Sequence, residues 1–90
     1  MHYVYVLQQV SGGRFYLGFT SDLRRRLREH NAGGNTSTRG SRWRLLYYEA
    51  YWSEKAARER EAKLKRNRRM QQLLMARLKS HLDESDYPAL

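Results

Sequence analysis

Residues 14–20 read RFYLGFT, an aromatic run with a glycine at its fifth position. Phe15, Tyr16, Leu17 and Phe19 favour extended backbone, whereas Gly18 weakens any strand that holds it and marks a place where another group comes close. Upstream, HYVYVLQQ (2–9) has the same β-branched and aromatic character, and VSGG (10–13) between the two runs is turn chemistry. The pair predicts a β-hairpin. Its first strand sends Tyr3, Tyr5 and Leu7 to one side and Val4 and Val6 to the other, so both faces should meet protein and helices should cover the sheet.

Downstream, TSDLRRRLREHN (20–31) opens with three good N-cap types, places Leu23 and Leu27 at helical spacing and closes near Asn31 and Gly33. NAGGNTSTRGSR (31–42) reads as an exposed loop, either a connector or a source of hydroxyls and cations for a phosphate backbone. WRLLYYEAYW (43–52) is the third strand candidate, and Ser53 is placed to cap a helix beginning EKAARERE. Helical composition continues to about Leu82 with a break at RNRR (66–69), which gives two helices. The order is β-β-α-β-α-α in a single domain over residues 1–82, and DESDYPAL (83–90) reads as a frayed tail.

Ninety residues support one small core. Eighteen Lys and Arg against nine Asp and Glu leave a net charge of +9, and arginine outnumbers lysine. A guanidinium fork matches phosphate oxygens better than an ammonium does, so nucleic acid is the expected partner. The absence of cysteine removes disulfides, thiolate metal sites and a cysteine nucleophile, and suits a cytoplasmic, nucleoid-associated protein. MHYVYVLQQV is neither a secretion signal nor a membrane span, and no membrane partner is expected.

The spacing of charges separates inward groups from solvated ones. Arg26 lies three residues after Leu23 and His30 seven after it, on the stripe directed at the sheet, while Arg24, Arg25 and Arg28 fall off that stripe. Arg26 either meets an anion there or runs past the leucines to water. Glu61, four after Ala57 and three before Leu64, is on the packed side of its helix, with Glu59 roughly opposite. A hard divalent metal with a nearby arginine would keep such a carboxylate charged, and so would a salt bridge to Lys65 or Arg58. Taken with Tyr5 and Tyr16, these are ingredients for phosphodiester hydrolysis.

YVY (3–5), YLG (16–18), an arginine ten residues beyond the second tyrosine and a glutamate on a later helix together resemble the GIY-YIG nuclease superfamily, and especially its short stand-alone bacterial members. The likeness covers residues 2–75. It implies an α/β (α+β) fold with a small three-stranded antiparallel sheet flanked by helices. It also implies catalytic positions at Tyr5, Tyr16, Arg26, His30 and Glu61, with Glu61 holding a single Mg²⁺ or Mn²⁺ and Gly18 letting the chain pass close to the site. The implied activity is endonucleolytic, on DNA ahead of RNA, in DNA repair or processing, with the Tyr5 hydroxyl, assisted by Tyr16 or His30, accepting the proton of the attacking water. The tripeptides differ from GIY and YIG at one or two residues while keeping the tyrosines. Asn67 is too near Glu61 to serve as the family's later asparagine. No second DNA-binding module is visible, so sequence selectivity should be low and a recruiting protein partner is compatible with the chain.

Arg24, Arg25, Arg39, Arg42, Lys63, Lys65, Arg66, Arg68 and Arg69 are the expected backbone contacts. The main alternative is a catalytically weak or inactive nucleic-acid-binding module of the same fold, for DNA or RNA, with Trp43, Tyr47 or Tyr48 stacking on bases if they face solvent rather than the core. A basic amphipathic helix over 54–80 for anionic membranes is a further alternative, but its apolar face is better explained by packing on the sheet.

Overall fold

The computed structural model describes residues 1–33 and 40–81, with side chains through Lys79. Arg39, the domain limit at residue 82 and the tail at 83–90 lie outside the described residues. The chain runs β1 (His2–Gln9), β2 (Phe15–Thr20), α1 (Leu23–Asn31), β3 (Trp43–Tyr51), α2 (Glu54–Arg66) and α3 (Arg68–His81). The strands form one antiparallel sheet, as expected, and their order in it is β2-β1-β3.

The hairpin closes where the sequence places its turn. Gln9 N–H donates to Arg14 O at 2.7 Å, and Gly13 takes φ +73°, a conformation that side chains with a Cβ rarely adopt. β1 is central and buried on both faces: Val4, Tyr5, Val6 and Leu7 are all at most 1% exposed. Val4 and Val6 pack with Leu46, Ala57, Leu64, Leu74 and Leu78 under α2 and α3. Tyr5 and Leu7 pack with Leu27 and Trp43 under α1. A bulge opposite Val6 and Leu7 sends Leu46 and Tyr47, adjacent in β3, to the same α2–α3 side, which ordinary alternation would not do.

The caps account for where the helices begin and end. Asp22 Oδ1 accepts the Arg25 N–H at 3.1 Å, and Ser53 Oγ accepts the Ala56 N–H at 3.2 Å. The RNRR break is the work of Asn67. It ends α2 with an extended backbone, and its side chain accepts the Met70 N–H at 3.0 Å in the first turn of α3. At the other end of the fold Asn31 clips α1 to β3, accepting the Trp43 N–H at 2.8 Å and donating to Trp43 O at 3.1 Å. On the α2 side, Glu49 of β3 receives the Arg60 fork at 2.9 and 3.0 Å and the hydroxyls of Tyr47 and Tyr51 at 2.7 and 2.6 Å.

Candidate active site

Antiparallel pairing decides which side chains can meet. Tyr5 stands opposite Gly18 and Leu7 opposite Tyr16, so Tyr5, Gly18 and Tyr16 share the face covered by α1. A Cβ on Gly18 would fall 2.5 Å from both Cζ and Oη of Tyr5, so the missing side chain is the space that the phenol occupies. The group that comes close to Gly18 is therefore a neighbouring tyrosine of the chain itself. With that space available, Tyr5 is wholly buried and its hydroxyl lies 2.7 Å from His30 Nε2.

α1 supplies the rest. His30 is also wholly buried and packs edge-to-face against Tyr16 with ring centroids 4.7 Å apart, while the Tyr5 and Tyr16 rings are 6.2 Å apart. The Arg26 guanidinium, one turn earlier, acts electrostatically on the Tyr5 hydroxyl and pairs with Glu29 at 3.1 Å. Arg26 is partly buried, whereas Arg24, Arg25 and Arg28 are exposed, which is the division its spacing predicts.

Burial pushes the Tyr5 phenol up to about 12, outweighing the opposing influence of the Arg26 guanidinium. Burial, reinforced by the Arg26 charge, pushes the His30 imidazole down to about 4. At neutral pH the pair is thus a protonated phenol hydrogen-bonded to a neutral imidazole.

Glu61 approaches from α2. Its side chain is 19% exposed, its charge is felt at the Tyr5 hydroxyl, and it pairs with Lys65 one turn on at 3.4 Å. Glu59 is exposed. Among the described residues no three His, Cys, Asp or Glu side chains converge as a preformed metal cage. A lone carboxylate still fits a hard cation, because Mg²⁺ commonly takes one or two carboxylates and completes its shell with water and substrate phosphate.

The expected backbone contacts do not form one patch around this cluster. Arg24, Arg25, Arg42, Lys63, Lys65, Arg66, Arg68 and Arg69 are all exposed, and of these Lys65 touches the site, through Glu61. Arg24 and Arg42 line a separate groove on the far flank of α1. Trp43 is core at 2% exposure, Tyr47 is half-buried and Tyr48 is half-exposed. Sequence reasoning passed over Glu29, although the i, i+3 spacing from Arg26 signals it. It also passed over the Glu49–Arg60 pair, which links β3 to α2 and has no local signature. Among the described residues no helix is long and apolar enough to cross a membrane.

The GIY-YIG catalytic domain profile matches residues 1–74. A UPF0213 protein of Halobacterium salinarum is 42% identical over 73 residues, covering 79% of this chain and 94% of that one. A UPF0213 protein of Streptococcus pneumoniae serotype 4 is 39% identical over 71 residues, covering 77% and 71%. The solution NMR structure of a UPF0213 protein from Bacillus halodurans superposes with a TM-score of 0.54 at 36% identity, over 83% of this chain and 82% of that one. An archaeal relative makes the likeness wider than the bacterial set expected from sequence.

Proposed function

Because the chain belongs to the GIY-YIG catalytic domain family, a nuclease-type superfamily, we propose that it hydrolyses phosphodiester bonds in DNA, cutting internally and with low sequence selectivity. The observation that carries this reading is the convergence on one hydroxyl: Tyr5 Oη is hydrogen-bonded to His30 and lies within the fields of Arg26 and Glu61.

Each group has a role that its surroundings suit. Arg26 is partly buried beside Tyr5 and pairs with Glu29. A phosphate displaces Glu29, and the guanidinium then stabilises the charge that grows on the equatorial oxygens in the transition state. Tyr5 and His30, both buried away from water, form a hydrogen-bonded pair beside it. Tyr16 is partly exposed, so it can first release its own proton to solvent and, as the phenolate, take the proton of the attacking water. His30, neutral and packed edge-to-face on Tyr16, steadies that ring. Glu61 would hold Mg²⁺ or Mn²⁺ after releasing Lys65, and the ion would supply Lewis acidity to the phosphate and to the leaving 3′ oxygen. A role in DNA repair or processing, a cytoplasmic location and a recruiting partner for selectivity belong to the same proposal.

The test is nicking of supercoiled plasmid with Mg²⁺, Mn²⁺ or EDTA, for wild type, Glu61→Gln and Arg26→Gln. Metal-dependent cutting should vanish in Glu61→Gln and fall about 10²- to 10³-fold in Arg26→Gln, the usual cost of one transition-state donor. Salt-sensitive DNA binding without cutting by any of the three would instead identify a binding module that keeps the fold.

A further inference from the structure

α1 divides the surface of the sheet. Arg26 and Arg24 are two residues apart, about 200° around the helix, so they face opposite flanks. On the Arg26 flank lies the cluster described above. On the Arg24 flank, between α1 and β3, lies a groove of about 980 Å³ to which Tyr5, Tyr16, Arg26, His30 and Glu61 contribute nothing.

Its construction is unusual for a simple phosphate contact. Carbon forms much of the floor, from Tyr3 of β1, Leu23 and Leu27 of α1 and Leu45 of β3. Three exposed arginines, Arg24, Arg28 and Arg42, stand along it. Arg42 is fixed at its backbone, where its carbonyl accepts the Val10 N–H at 2.9 Å. The acid in the lining, Asp22, is engaged in capping α1, and Asn31 is engaged with Trp43.

We propose that this groove binds single-stranded DNA, with unpaired bases on the apolar floor and phosphates on the three arginines. Resting on the reading of the protein as a DNA nuclease, the proposal names its preferred substrate form: a strand unpaired on one side of the scissile bond. Duplex DNA offers the rim its phosphates but keeps its bases stacked away from the floor, so the apolar surface would go unused. An unpaired strand uses both, because every base has a face that can lie on an aromatic or aliphatic surface. Ser21 also lines the groove with a hydroxyl, so the choice of DNA over RNA rests on the nuclease reading and not on the lining. The groove and the cluster are separated by about one helix diameter, roughly 10 Å, so one strand could occupy both.

The test measures binding in EDTA, where no cutting occurs, by fluorescence anisotropy with labelled oligo-dT, a duplex of equal length and oligo-rU. The groove variant is Arg24→Gln/Arg28→Gln/Arg42→Gln, and the control is Arg14→Gln/Lys55→Gln/Lys79→Gln, three exposed cations outside both the groove and the expected backbone contacts, which removes the same charge. The groove variant should weaken oligo-dT binding about tenfold more than the control and lower its salt slope by about 2, at about 0.7 per lost phosphate contact. In amide spectra of the wild type, oligo-dT should shift Tyr3, Leu23 and Leu45, and the duplex should leave them in place. Equal losses in the two variants, duplex bound as tightly as oligo-dT, unmoved floor residues or tighter binding of oligo-rU would each overturn the proposal. Wild type that binds oligo-dT through the groove but cuts no DNA would sink the nuclease reading and leave the groove standing, whereas cutting without floor shifts would do the reverse.

Discussion

Replacing Gly18 with alanine puts a methyl group where the Tyr5 ring now lies. The new Cβ would sit 2.5 Å from Cζ and Oη and 2.9 Å from Cε1, all well inside contact distance, and the ring is fully buried with little room to retreat. Overpacking of this kind costs about 1–3 kcal/mol. If the ring moves to relieve the clash, the 2.7 Å bond to His30 is broken and adds about 1 kcal/mol. The expected destabilisation is therefore about 2–4 kcal/mol, or roughly 10–25 °C in Tm for a domain of this size. Urea unfolding followed by circular dichroism measures it at pH 7. The double variant Gly18→Ala/Tyr5→Phe should recover little, because Cζ is as close as the hydroxyl. Tyr5→Leu, which removes the ring's far edge, should make Gly18→Ala much less costly in its background. A Gly18→Ala protein within about 0.5 kcal/mol of wild type would show that Tyr5 does not occupy this space.

Stability should also fall as the pH drops from about 6.5 to about 4. His30 is held neutral in the fold but takes up a proton in the unfolded chain over that range, so up to roughly 3 kcal/mol is lost, and His30→Gln should flatten this part of the profile. Burial tends to raise the Glu49 carboxyl, but hydrogen bonds from Arg60, Tyr51 and Tyr47 together hold it below its ordinary value. Its contribution is present above that value and drains away below it, so acid unfolding should continue past the His30 step. Glu49→Gln should cost about 2 kcal/mol at pH 7 in urea melts, because Arg60 loses its charged partner. Asn31→Ala should cost about 1–3 kcal/mol by stripping both backbone bonds from Trp43, and exchange of the Trp43 amide with deuterium should quicken.

What could be read from the residues was whatever periodicity controls. Alternation along HYVYVLQQ signalled a strand buried on both sides, and the phase of Arg26 and His30 with Leu23 and Leu27 correctly separated the inward charges of α1 from Arg24, Arg25 and Arg28. The break at RNRR was visible as composition, but its cause, an asparagine ending one helix and capping the next, needed coordinates. Gly18 announced a close approach without naming what approached, since pairing of Tyr5 with Gly18 depends on a register that the turn and the sheet set together. The Glu49 network and the groove beside α1 join residues far apart in the chain, and spacing along a sequence cannot report them.

The bond pair between Asn31 and Trp43 also bears on how much the chain can be altered. It ties the exit of α1 to the entrance of β3, so the intervening segment, whatever its length, is closed by a latch that the core already supports. Lengthening a closed loop is inexpensive, at about 0.6 kcal/mol for each doubling. This connection is therefore a graft point: a recognition module spliced between the two latch residues could add an address to the domain without moving Tyr5, Arg26 or Glu61.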